Sequence, residues 1–153
     1  MKGTLIKAAK VVADQTIAVE WGSGKVSQVD FGALISSNPH FRPLAGKGAF
    51  TTIHVDEWGH TLSWACGADI GSESVWRMAQ EQAGKAWSLA EFHAWMKRNS
   101  LSLSSAAEAL KITRRAVIYY HQGHRPIPRW VEVACLGWEA LKRERAGLKR
   151  KAA

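Results

Sequence analysis

The chain has 153 residues, with 21 Lys+Arg against 13 Asp+Glu and a formal charge of +8. Its 46% hydrophobic content, 22% charged content and 8 Trp suffice for packed cores, so composition excludes wholesale disorder. No apolar run approaches the roughly 18 residues that would span a bilayer. Met1 to Lys7 lacks an uninterrupted apolar segment and a small-residue cleavage site, so no signal peptide and no membrane association are expected, and the location expected is cytoplasmic. Cys66 and Cys135 match no metal or redox spacing and are expected as free thiols, with no cofactor and no metal.

The charge is unevenly distributed. Residues 1–78 hold 7 basic and 7 acidic side chains, and residues 79–153 hold 14 and 6. Clustered Lys and Arg attract phosphates, so the second half is expected to meet a polyanion.

From Leu5 to Trp64 the apolar period is near two. Leu5 to Val12 ends in the turn residues Ala13-Asp14-Gln15, and Ile17, Val19 and Trp21 then alternate with Thr16, Ala18 and Glu20 as in a half-buried strand. Gly22-Ser23-Gly24 predicts a tight hairpin into a third strand ending at Asp30. One or two helical turns follow from Phe31 to Ile35, and the Asn38-Pro39 and Arg42-Pro43 steps enforce irregular chain. A second hairpin joins Thr52–Val55 to Thr61–Trp64, and a helix begins near Ser72 with Val75 and Met78 or Ala79 on one face.

Catalysis in this half is weighed and set aside. His54 with Asp56, or His60 with Asp69, would be the pairs for acid/base or metal chemistry. No nucleophile or zinc motif accompanies them, Asp69 reads as a helix cap and Cys66 as a small buried residue. The protein is not expected to be an enzyme.

Past a joint at residues 83–87, Ser88-Leu89-Ala90-Glu91 has the spacing of a capping box, followed by the stripe Leu89, Phe92, Met96 and a helix end near Asn99. Leu103, Ala106, Ala107 and Leu110 define a short helix with a small-residue inner face. Lys111-Ile112-Thr113 breaks it, with Ile112 plugging the corner and Thr113 capping the next helix, Arg114 to Gln122. Val117 and Tyr120 face inward on that helix. Arg115, Ile118, Tyr119 and Gln122, with Arg114 at the edge, face outward and suit a DNA major groove, because Arg pairs with guanine, Gln with adenine and an aliphatic side chain with a thymine methyl. Gly123 closes the helix. Arg125 and Arg129 flank Pro128, which opens a further helix burying Val131, Ala134, Cys135, Trp138 and Leu141. Residues 142–153 form a basic tail.

Two resemblances organise these segments. Val19-Glu20-Trp21-Gly22, Asp30, Phe41-Arg42-Pro43-Leu44 and Trp64-Ala65-Cys66-Gly67-Ala68-Asp69 resemble, in order, a family of small bacterial domains of unknown function; this implies a fold but no activity. Ala107, Leu110, Ile112, Val117 and Tyr120 resemble the pattern of a phage-repressor-like helix-turn-helix domain, with Lys111 where that family usually holds Gly. That likeness implies base reading by Arg114, Arg115, Ile118, Tyr119 and Gln122, phosphate contacts from Thr113, His124, Arg125 and Arg129, and a homodimer on double-stranded DNA.

The expected fold is therefore α+β. A domain at 1–82 has an antiparallel β-sheet and short helices, and an all-α helix-turn-helix domain of four to five helices occupies 88–141. The expected function is that of a bacterial transcriptional regulator, with a protein partner or small-molecule effector at the first domain. The alternative is an antitoxin-like protein-interaction module in which DNA binding is secondary.

Overall fold

The computed structural model describes residues 2–152 and divides the chain into two compact units at Gln82 and Ala83. The first unit carries 7 basic and 8 acidic residues, and the second 14 and 5, so their charges are −1 and +9.

The first unit is mixed α/β. Strands β1 (Ile6–Ala13), β2 (Thr16–Trp21) and β3 (Val26–Asp30) form one antiparallel sheet in sequence order. Ile17, Val19 and Trp21 of β2 are fully buried while Thr16, Ala18 and Glu20 on the other face are partly exposed, the alternation a one-sided sheet requires. Helix α1 (Gly32–Ser37) and a one-turn 3-10 segment at Arg42–Ala45 follow, which bury Ile35 and Leu44. Strands β4 (His54–Val55), β5 (Thr61–Ser63) and β6 (Asp69–Gly71) form a second antiparallel sheet, followed by helix α2 (Ser72–Gln82). The core contains Trp21, Phe31, Phe50, Trp64 and Val75.

Polar side chains of this unit are largely spent on its own backbone. The Gln82 carboxamide accepts from the Asp30 amide and donates to the Asp30 carbonyl, both at 2.8 Å, fastening the end of α2 to the end of β3. The Asp30 carboxylate accepts from Gly32 N at 2.7 Å. Asp56 accepts from the amides of His60 (2.7 Å) and Thr61 (3.0 Å). The turn that these bonds shape brings Gly59 against the start of β1, where its carbonyl accepts from Ile6 N at 2.9 Å. Gly59 has φ +74°, and a Cβ there would stand 2.4 Å from the Ile6 carbonyl oxygen, so glycine is required twice over.

Residues 69–71 pair with β5 as strand β6 and lead directly into α2. Three expectations need correction here. Asp69 does not cap a helix; its carboxylate lies 3.2 Å from His40 Nε2. Cys66 is exposed, placed in the turn that closes on Trp64. Ala86 and Trp87, expected in the joint, are buried, and Trp87 packs in the second unit's core with its amide donating to Ile127 O at 2.8 Å.

The second unit is all helical: α3 (Leu89–Arg98), α4 (Leu103–Leu110), α5 (Arg114–Gln122) and α6 (Arg129–Ala152). Its helix ends follow one recipe. Ser88, Ser102 and Thr113 each accept, through the side-chain oxygen, from the amide three residues on, which satisfies a donor that has no intrahelical partner. At the other ends, Ser100 (φ 53°), Lys111 (φ 57°) and Gly123 (φ 77°) are left-handed. At each, the next amide reaches back five residues: Leu101 N to Met96 O, Ile112 N to Ala107 O and His124 N to Tyr119 O. These are Schellman closures.

The chain thus makes the same three-residue corner twice. Ser100-Leu101-Ser102 and Lys111-Ile112-Thr113 each place a left-handed residue, an apolar residue packed against the core and a capping hydroxyl in succession. Between the helices lies a core of Phe92, Trp95, Val117, Ile127, Val131 and Cys135, all fully buried. Trp95 stacks on Phe92 and donates its indole N–H to Cys135 O at 3.0 Å.

Helix α6 continues through the basic residues 142–152, which the sequence set apart as a tail. Leu141 is 51% exposed rather than core. It lies along the side of α6 that faces Ser105 and Ala109 of α4, without being enclosed there.

Candidate nucleic-acid interface

Helix α5 owes its orientation to its two ends and its inner face. Thr113 caps it through a 3.1 Å bond from Ala116 N, Gly123 closes it, and Val117 is fully buried while Tyr120 packs edge-on to Phe92. Burial holds the Tyr120 phenol above its ordinary pKa, against the opposing charge of Arg125. The remaining face of α5 carries the residues singled out from the sequence.

Those residues fall into three groups. Arg115, Tyr119 and Arg125 are brought together: Arg115 Nε donates to the Tyr119 hydroxyl at 3.1 Å, and the Arg125 guanidinium lies 4.3 Å from the centre of the Tyr119 ring. Tyr119 therefore orders two cations, one on the helix and one on the loop that leaves it. Arg114 is held separately, donating from Nε to Ser104 Oγ of α4 at 3.1 Å. Gln122 is exposed at the far end of α5, and Ile118 is half-buried instead of fully outward. Among the described residues, none of Arg114, Arg115 and Arg125 has a carboxylate partner.

The residues expected to meet phosphates lie at the rim. The Thr113 hydroxyl oxygen is occupied as an acceptor, which leaves its O–H to donate outward. His124 is exposed, directly after the helix closure. Arg129 is ion-paired with Glu132 at 3.0 Å, and the Val131 amide already bonds to Pro128 O, so the N-terminus of α6 offers fewer free donors than its sequence indicates. His121, at the end of α5, accepts through its carbonyl from His93 Nε2 of α3 at 2.8 Å; burial first and the neighbouring His93 second lower its ring pKa.

Sequence reasoning missed Ser104 and the stacking role of Arg125. The i, i+4 spacing of Arg115 and Tyr119 was a usable signal for one half of the stack. The path of the loop that returns Arg125 onto the ring has no local signature.

The carboxylates of the pairs considered for catalysis are engaged elsewhere. Asp56 is tied to backbone amides, of which that of Thr61 contributes most in holding its carboxyl below the ordinary value against desolvation. Asp69 faces His40. Among the described residues, no group of three or more His, Cys, Asp or Glu side chains is arranged to hold a metal ion. No described helix is long and apolar enough to cross a membrane.

Comparison with known proteins bears on both units. Residues 6–81 match the model of a protein family of unknown function, DUF2442. Among solved structures, the crystal structure of the Putative DNA Binding Protein NE0471 from Nitrosomonas europaea ATCC 19718 is 40% identical, with a TM-score of 0.58, over 89% of this chain and 86% of that one. The two chains belong to one family. The first unit is accordingly a DUF2442 domain, and the likeness to the Nitrosomonas europaea protein extends beyond it, because 89% of the chain exceeds either unit alone. No curated protein matches the chain significantly. The DUF2442 domain brings a fold, and the resources for chemistry toward an anion lie in the helical unit.

Proposed function

We propose that α4 and α5 form a helix-turn-helix of the phage-repressor kind and that the protein is a transcriptional regulator binding double-stranded DNA with sequence preference. The observation that carries this reading is the ordered cation face of α5, where Arg114, Arg115 and Arg125 are held by a hydroxyl or a ring and by no carboxylate. Guanidinium groups fixed in this way lose little freedom on meeting guanine acceptors or phosphate oxygens. The +9 charge of the helical unit and the name of the Nitrosomonas europaea relative support the same reading. Arg115, Tyr119 and Gln122 read bases with Arg114 and Ile118, while Thr113, His124, Arg125 and Arg129 meet the backbone.

A homodimer completes the reading, since two half-sites double the contact. On the solvent side of α6, Trp130 (52% exposed) and Val133 (71%) share a helical stripe with Gly137 and Ala140, the kind of face a second copy covers. The role is binding rather than catalysis, and the DUF2442 domain is assigned to its regulation by a protein partner or small effector.

The test is selection of sites from random duplex DNA, followed by affinity measurement at fixed salt. A preferred sequence is expected, and Arg115→Ala is expected to weaken binding to it by about 1–3 kcal/mol with the fold intact. Recovery of no preferred sequence by the wild type would end the regulator reading.

A further inference from the structure

The inward face of α6 changes chemistry along its length. Val131 and Cys135 are fully buried on it. Further along, the same face holds Trp138, Lys142, Arg145 and Lys149, whose i, i+4, i+7, i+11 spacing sets them in one row. Opposite this row, α4 presents short side chains, Ser105 and Ala109. A groove of about 700 Å³ lies between the two helices.

The groove is polarised. Leu101, Trp138 and Leu141 line it where α6 leaves the core, and Arg145 and Lys149 line it toward the helix end, roughly 16 Å from Trp138 to Lys149 at the helical rise of about 1.5 Å per residue. The Lys142 ammonium sits 5.2 Å from the centre of the Trp138 ring, at the transition between the two regions. Lys111 adds a further cation, and Glu108 is the one acidic lining residue among those described. None of Lys111, Lys142, Arg145 and Lys149 takes part in an ion pair among the described residues.

We propose that this groove binds an amphiphilic anion, an acyl chain ending in a carboxylate. The volume is that of a small-molecule pocket. The chain would cover Trp138 and the half-exposed Leu141, and the carboxylate would lie between Arg145, whose planar fork suits two oxygens, and Lys149. A nucleic-acid backbone fits the same place poorly, since it carries no apolar segment for the floor. An outward cation such as Arg150 remains for phosphates. The inference stands apart from the DNA reading, because binding is measured without DNA.

The experiment is calorimetric titration of the full chain with dodecanoate held below its micelle concentration. Dodecyltrimethylammonium and inorganic phosphate serve as controls for tail and charge. Saturable binding of one dodecanoate is expected, with neither control matching it. Arg145→Gln combined with Lys149→Gln is expected to weaken it about tenfold or more, by removing charge-assisted bonds at exposed positions that do not affect folding. Ala109→Phe, which fills the groove, is expected to do the same, with circular dichroism checking its fold. The proposal is overturned by absence of saturation, by equal binding to the double variant, or by either control matching dodecanoate.

Discussion

The DUF2442 domain and the helical unit manage polar side chains in opposite ways. In the first, Asp30, Asp56 and Gln82 are consumed by backbone groups that hold turns and strand ends together. In the second, Ser88, Ser102 and Thr113 deal with the helix ends, and most cations of α5 and α6 have no carboxylate partner among the described residues. Where polar groups are absorbed locally, they build shape; where backbone satisfaction is delegated to a few small hydroxyls, charged side chains are released for contact with something else. The contrast puts the candidate chemistry in the helical unit.

Separate cores make this contrast breakable by mutation. The largest effect is expected from Trp95→Ala, which removes a fully buried ring and its bond to Cys135 O and should cost about 3–5 kcal/mol. Urea unfolding followed by helical circular dichroism should show loss of the helical unit while the Trp21 and Trp64 core of the DUF2442 domain persists. A single shared transition would mean that the two cores are not energetically separate. Gly59→Ala is the counterpart in the first unit. Its Cβ would meet the Ile6 carbonyl at 2.4 Å with φ +74°, for an expected loss of about 2–3 kcal/mol, read as unfolding of the sheets with α1 and α2 while the signal of α3 to α6 is retained.

Acid titration sharpens the contrast. Arg98 first, and Asn99 next, hold the Glu139 carboxyl down to about 2 from an ordinary 4.5. The folded value lies below the unfolded one, so the stabilisation is complete above the ordinary value and is lost as pH falls through about 2. Solvent screening limits it to about 1–2 kcal/mol. Glu139→Gln should flatten the acid limb of the helical unit in pH-dependent unfolding and leave that of the DUF2442 domain unchanged. The smallest effect is a gain: Lys111→Gly should stabilise by about 0.5–1 kcal/mol, by relieving a left-handed non-Gly residue, seen as a raised Tm of the helical unit.

The thiols report the same division without perturbing it. Burial pushes Cys135 up to about 12, whereas Cys66 is exposed. One thiol of the native protein should react with a disulfide reagent at neutral pH and the other only on unfolding.

The elements of the helical unit were legible because their signals are local. Ser88, Thr113 and Gly123 mark ends within a turn of the residues they serve, and Ile112 declares its corner by being the one apolar residue between two helices. Trp95 escaped notice because the stripe Leu89, Phe92, Met96 already accounted for one face. In the first unit, β2 was readable from strict alternation. Strand β6 was not, since residues 69–71 become a strand only by pairing with β5. Asp69 finds His40, 29 positions earlier, and no spacing rule anticipates that. At the candidate interface, the helix that carries Arg114, Arg115 and Tyr119 could be read directly, whereas the approach of Arg125 and Ser104 depends on how loop and helix pack.

The two three-residue corners have a consequence beyond stability. Each fixes the phase of the helix that follows, because the apolar residue must reach the core and the hydroxyl must meet an amide at a set distance. Residue identity at the left-handed position is negotiable, as Ser100 and Lys111 demonstrate. Length is not: one residue inserted between Lys111 and Thr113 would advance α5 by about 100° against its neighbours, carrying Arg115 and Tyr119 off the exposed face. The corner acts as an index mark that keeps one side of α5 facing outward.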